Sequence, residues 1–184
     1  MAADYRSDLH NGEINLIRCV SENIQLLAGF RYLELDERMN FALINAGIPL
    51  DYRVTARNRL AGAQVGSIVQ LWQPCCHFSL VGIGKAGIYG NDAGQNGNVD
   101  TVVANIQVTD RDSQTSFVGE LNLLGKWCLN DHISLRGGYN LLWLTDLALA
   151  SDQLAVSDFA AATGGTATAD LFYHGASAGL EIAW

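Results

Sequence analysis

The stretch Phe172-Tyr-His-Gly-Ala-Ser-Ala-Gly-Leu-Glu-Ile-Ala-Trp184 decides the fold class. Steps of two back from Trp184 collect Ile182, Leu180, Ala178, Ala176 and Phe172 on one face, with Glu181, Gly179, Ser177 and Gly175 on the other. A period of two marks an extended strand, whose successive side chains point to opposite faces. The apolar side ends on a large aromatic residue.

The same alternation recurs upstream in about seven segments, near Asp8–Cys19, Ile24–Asp36, Arg57–Trp72, Cys76–Asn91, Ser113–Leu129, His132–Leu144 and Asp170–Trp184. In the fifth, Phe117, Gly119, Leu121, Leu123, Gly125 and Trp127 oppose Val118, Glu120, Asn122, Leu124 and Lys126. The sixth sets Ile133, Leu135, Tyr139, Leu141 and Trp143 against Ser134, Arg136, Gly138 and Asn140. In the fourth, Phe78, Leu80, Gly82, Gly84, Ala86 and Ile88 oppose Ser79, Val81, Ile83, Lys85 and Tyr89, a weaker contrast. Charges stay on one side of each strand.

Composition points the same way. Of 184 residues, 49% are hydrophobic and 16% charged, against roughly 25% charged in average proteins. Nineteen Gly and only 2 Pro suit many extended segments. The formal charge of -8, with no block of Lys or Arg, excludes a general nucleic-acid binder, because phosphate contact needs clustered cations. Between Arg59 and Lys85 no Asp, Glu, Lys or Arg occurs, but Gln64, Gln70, Gln73 and Pro74 argue for two strands and a turn rather than a membrane helix. The opening Met1-Ala-Ala-Asp-Tyr-Arg lacks a basic start followed by an apolar run, so a mature, trimmed or partial chain is expected.

Connections alternate in length. Ser21-Glu-Asn23, Gln73-Pro-Cys75 and Asn130-Asp131 are short. Glu37–Ala56, Asp92–Asp112 and Thr145–Ala169 are long, and the first two carry most of the clustered acids: Glu37, Asp92, Asp100, Asp110 and Asp112, with Glu34 and Asp36 just before. Short turns on one side and long loops on the other are the pattern of outer-membrane barrels. Seven alternating strands leave the first and last parallel, so they cannot close as an antiparallel pair. The expectation is all-β: an antiparallel up-and-down transmembrane β-barrel, or an open curved sheet from an incomplete barrel, of about seven or eight strands. Residues 1–184 read as a single β-barrel domain, the C-terminal portion of a larger barrel.

Ala28-Gly-Phe-Arg-Tyr-Leu-Glu-Leu35, Gly137-Gly-Tyr-Asn140 and Phe172-Tyr-His-Gly-Ala-Ser-Ala-Gly-Leu180 resemble the β-barrel porins of planctomycete-type bacteria, over about Tyr5 to Trp184. The resemblance implies an outer-membrane location, passive diffusion of small hydrophilic solutes, outer-membrane lipids as partners, and engagement of the barrel-assembly machinery through the C-terminal strand. It supplies no catalytic residue and no cofactor.

On this reading Glu13, Asn15, Gln25, Arg31, Gln64, Lys85, Glu120, Asn122, Lys126, Arg136, Asn140 and Glu181 line a lumen, where fixed charges bias ion passage. Phe78, Leu80, Leu121, Leu123, Trp127, Leu135, Tyr139, Leu141, Trp143, Leu180, Ile182 and Trp184 face lipid. Trp72, Trp127, Trp143, Trp184, Tyr32 and Tyr139 suit interfacial girdles, although Trp72 falls on the inward side of the register. The rival is a structural or surface-binding barrel without an open channel. Ion pairs drawn across the lumen from Arg31, Arg136, Glu120 and Glu181 would favour it; the same groups separated by water would favour diffusion. A soluble barrel or sandwich would instead cover Leu121, Leu123, Leu141 and Trp143 with protein.

Other chemistry is weakly signalled. Cys19, Cys75, Cys76 and Cys128 map to one end of the strands, and Cys76 and Cys128 could bridge if their Cα atoms lie within about 7 Å. Their spacing is not that of a zinc site, and free or structural thiols are the favoured reading. Asp92-Ala-Gly-Gln-Asn-Gly-Asn-Val-Asp100 partly resembles a calcium loop, but Gly94 and Val103 stand where ligands are needed, so a flexible solvated loop is expected. His174 has no evident Ser and acid partners for nucleophilic catalysis. Open strand edges predict self-association.

Overall fold

A computed structural model describes residues 2–45, 48–75, 77–100, 105–130, 132–150 and 168–182. Seven strands follow one another: β1 (Ala2–Ser21), β2 (Ile24–Asn45), β3 (Ile48–Cys75), β4 (Phe78–Asp100), β5 (Asn105–Cys128), β6 (Ile133–Leu147) and β7 (Ala169–Ile182). Each pairs antiparallel with its sequence neighbour, in the order β1-β2-β3-β4-β5-β6-β7. The result is an up-and-down sheet curled into a half-barrel. Edge strands β1 and β7 run in the same direction, as the odd strand number requires. They are not paired, but their inward side chains touch where the Ser7 and Tyr173 hydroxyls lie 3.1 Å apart.

Two of the expected long loops, Glu37–Ala56 and Asp92–Asp112, are strand over their described residues. Glu37 pairs with Ala56, Asn40 with Arg53, and Asp92 with Ser113. Polar composition suggested loops, but the alternation continues: Glu37, Val54 and Ala56 are buried on the inner face while Arg38, Arg53 and Arg57 are exposed on the outer one. Such a ladder needs no apolar outer surface when it stands in water. Cross-strand charge pairs stabilise it instead, each by about 0.2–1 kcal/mol. Arg57 pairs with Asp36, and Arg59 lies 3.3 Å from Glu34. The calcium-like segment is therefore extended. Asp92, Asn96 and Asn98 are strung along β4 and cannot wrap one ion; among the described residues no cluster of metal-binding groups occurs.

Trp72 is the second correction. The register shifts between Gln70 and Trp72, and this bulge pairs Trp72 with outward-facing Leu80. Trp72 is exposed and meets Phe78 edge-on at 5.4 Å, so it belongs to the outer face rather than the interior.

Glycines set how tightly the sheet curls. Gly29, Gly62, Gly66 and Gly87 all sit on the inner face. A Cβ on Gly62 would collide with the Ile88 carbonyl and come within 2.7 Å of Tyr89 Cα; one on Gly87 would come within 2.6 Å of the Ala63 carbonyl. Missing side chains let adjacent backbones fold toward each other, a common means of bending a barrel wall. The inward curl then buries Leu33, Leu35, Leu60, Tyr89, Val118, Leu144 and Leu147 as one core, near the middle of β2, β3 and β4. We predict that Gly62→Ala lowers stability by about 1–3 kcal/mol in urea unfolding of the micelle-bound protein. Gly175→Ala, where a Cβ meets nothing, should match the parent.

Candidate functional site: the filled inner face

Just below this core lies a belt of charged and amide side chains drawn from five strands. Arg31 on β2 donates from Nε to Asn11 Oδ1 (2.9 Å) and from Nη1 to Glu120 Oε2 on β5 (2.6 Å). Lys85 on β4 reaches Glu13 on β1 (2.7 Å) and Glu120 (3.2 Å). Gln64 on β3 donates to Glu13 and Asn15, both at 2.8 Å, and accepts from the Tyr89 hydroxyl. Asn122 adds a bond to Glu120 at 2.5 Å. β1 and β4 are not neighbours, nor are β2 and β5. The Lys85 to Glu13 and Arg31 to Glu120 pairs therefore span the curl from one part of the wall to another.

Burial makes the pairing obligatory. The Arg31 side chain is 3% exposed and that of Glu120 13%. A charge so far removed from water is tolerated only with partners that satisfy it. The four ionised groups comprise two cations and two anions, so the belt is locally neutral.

Above the belt the interior is closed by the end of β6 and the residues after it. Asp146 adopts a positive φ of 55°, a conformation that Asp tolerates better than most residues, and there the β6 to β7 register slips. Its carbonyl accepts from Ser116 Oγ (3.0 Å) and Asn91 Nδ2 (3.3 Å). The chain then turns inward. Asn58 holds Ala148 by two bonds, Nδ2 to the carbonyl at 2.7 Å and the backbone N–H to Oδ1 at 2.8 Å. Glu37 accepts from the Ala150 N–H at 3.0 Å. Buried Asn58 and Glu37 thus serve as a receptor for this inserted backbone. Nothing in the strand pattern signals this role, since neither residue stands out from its alternation.

Of the inward set expected from sequence, Glu13, Asn15, Arg31, Gln64, Lys85, Glu120 and Asn122 meet in the belt. Lys126, Arg136 and Glu181 form a separate group near the opposite end, with Glu181 3.1 Å from Lys126 and 2.5 Å from Arg136. Gln25 and Asn140 share the inner face by register but join neither group. Phe78, Leu80, Leu121, Leu123, Trp127, Leu135, Tyr139, Leu141, Trp143, Leu180 and Ile182 share the outer face by register. Leu121, Leu123 and Trp143 are exposed there and Leu141 is half-exposed. Trp184 lies outside the described residues, as does Cys76; Cys19, Cys75 and Cys128 are free thiols. His174 is on the outer face, its Nδ1 2.7 Å from the Tyr139 hydroxyl and its ring stacked on Phe172.

A curled antiparallel up-and-down sheet with charge inside and an apolar belt outside is the wall of a β-barrel. The chain belongs to the family described as "Putative beta barrel porin-7", whose model matches residues 1–184. No curated protein matches it. Among the described residues, no helix is long and apolar enough to cross a membrane, which says nothing of crossing by strands.

We predict that Arg31→Met destabilises the folded protein by about 3–5 kcal/mol, because Glu120 loses its closest cationic partner. Arg31→Met with Glu120→Gln should cost less than the sum of the single changes by about 1–3 kcal/mol, read from urea midpoints of all four proteins.

Proposed function

We propose that the chain builds the wall of a bacterial outer-membrane β-barrel with a filled interior and a non-enzymatic role. On this reading the turns between β1 and β2, β3 and β4, and β5 and β6 are periplasmic, and the far strand ends stand outside the cell. The outer face supports insertion. Ile14, Phe30, Val65, Ile88, Phe117, Leu123 and Leu135 are each at least two-fifths exposed and lie on consecutive strands. So wide an apolar surface is rare on a soluble monomer. On β2 the run from Ile24 to Tyr32 supplies the roughly 9 tilted residues that a crossing strand needs.

The observation that carries the filled reading is the Arg31 to Glu120 contact across the curl, backed by the inserted Ala148 and Ala150 backbone. A passage for solutes requires water between these groups, and they touch. The outer strand ends and the outer-membrane lipids around the belt then become the surfaces for contact. Free edges on β1 and β7 support closure by further strands or by a second copy, and are the surface through which barrel-assembly machinery would engage β7.

Passive diffusion of small hydrophilic solutes is the second reading, favoured by the family to which the chain belongs. It requires a wider barrel in which the belt charges separate and line water. Planar-bilayer recording of the inserted protein separates the two. We predict no steady current. Stepwise, persistent conductance would return the chain to the diffusion class.

A further inference from the structure

We infer that the outer face of β2 to β5, just beyond the apolar belt, is a docking surface for the phosphate-bearing headgroup of an anionic membrane lipid. The sequence contains no basic block; the fold assembles one. Outward positions of β3 read Val65, Ala63, Ala61, Arg59, Arg57, Thr55 and Arg53, a switch from apolar to cationic within one step of about 7 Å. Neighbouring strands add Arg38 from β2 and Arg111 from β5.

The twelve outward positions from the row holding Asp36, Arg57, Gly94 and Arg111 up to that holding Asn40, Arg53, Asn98 and Gln107 contain four arginines and one acid. In a chain of net charge -8 this is a local excess of opposite sign. Asp36 is engaged by Arg57. Arg38, Arg53 and Arg111 form no ion pair among the described residues, and all three are exposed.

The shape suits a headgroup as well as the charge does. Gly94 lies between Arg57 and Arg111 in the ladder, and with no side chain of its own it lets Arg111 lean over it, Cγ and Nε 3.8 and 3.9 Å from where a Cβ would stand. Thr55, Asn96 and Thr109 form a floor of small polar residues in an open groove of about 670 Å³, whose charged lining sets Arg38, Arg53, Arg57, Arg59 and Arg111 against Asp36, Glu37, Asp92 and Asp110. Guanidinium groups bind phosphate through paired N–H donors; Arg57 gives its Nε and Nη2 to Asp36, so the donors offered to a phosphate are those of Arg38 and Arg111, which form no ion pair among the described residues. Height selects the lipid as the source. The groove begins within two side-chain steps of Tyr32 and Ala61, the level at which headgroups sit when the belt is in the bilayer.

The inference rests on the membrane reading above, and the test keeps the two apart. The full chain is reconstituted in phosphatidylcholine bilayers, and the motionally restricted fraction of spin-labelled phosphatidic acid is compared with that of spin-labelled phosphatidylcholine. A several-fold preference for phosphatidic acid is expected, weakening as salt screens it. Arg38→Gln with Arg111→Gln should cut that preference by roughly fivefold or more. Both side chains are exposed and outside any ion pair, so folding should survive. Arg18→Gln, at the other end of the outer face, should leave the preference intact. Equal association of the two lipids with the inserted protein, or a preference that persists in the double variant, overturns the inference alone. Loss of the preference in millimolar inorganic phosphate at constant ionic strength would assign the groove to a soluble anion and also overturn it. Failure to insert would overturn both this inference and the membrane reading.

Discussion

Two carboxylates and two cations, Glu13, Glu120, Arg31 and Lys85, have to neutralise one another inside the curl, and the rest of the structure is arranged around that requirement. The pairs connect strands that are not neighbours, so they form only if the wall bends far enough to bring β1 to β4 and β2 to β5. Glycines at Gly29, Gly62, Gly66 and Gly87 clear the space for that bend. The same bend gathers Leu33, Leu60, Val118 and Leu144 into a core. Each such side chain contributes about 1.5–3 kcal/mol on burial, which offsets the cost of desolvating the charges below it.

Much of this was legible in the sequence, and the misses have physical causes. Strands β5 and β6 were read in the right register because their outer faces carry Leu and Trp while their inner faces carry Glu, Lys and Arg, so a one-residue slip would put charge outside. The outer halves of β2 to β5 resemble loops in sequence because they are polar. In a ladder beyond the apolar belt polarity only reports water on one face, and the small or apolar Val54, Ala56 and Ala93 on the other are the better guide. Trp72 was misplaced by a bulge, which a count of two cannot anticipate. The four charged residues of the belt are legible as inward-facing, but Asn11 is not, and neither is the pairing, which depends on curvature rather than on strand pattern.

The arginines illustrate a related limit. Arg38, Arg53, Arg57 and Arg111 are scattered over more than seventy positions, and only antiparallel pairing brings them onto one surface. Charge placement on this chain therefore has two regimes. Inside, at the level of the belt, charges are paired and buried. Outside, beyond the apolar belt, three of the four arginines are exposed and form no ion pair among the described residues. A filled interior and a contact-making exterior are consistent with each other, because ion pairs that fix the curl also hold the outer ladder in place.

The central claim is that Arg31 and Glu120 touch across the interior of the membrane-inserted protein. Solid-state NMR of the reconstituted chain, with 15N in arginine and 13C in glutamate, measures that contact directly. The account predicts a short-distance correlation between the Arg31 guanidinium and the Glu120 carboxylate, matching the 2.6 Å separation. A spectrum with the Arg136 to Glu181 correlation present and the Arg31 to Glu120 correlation missing would contradict it, and would mean that the wall opens around a water-filled space.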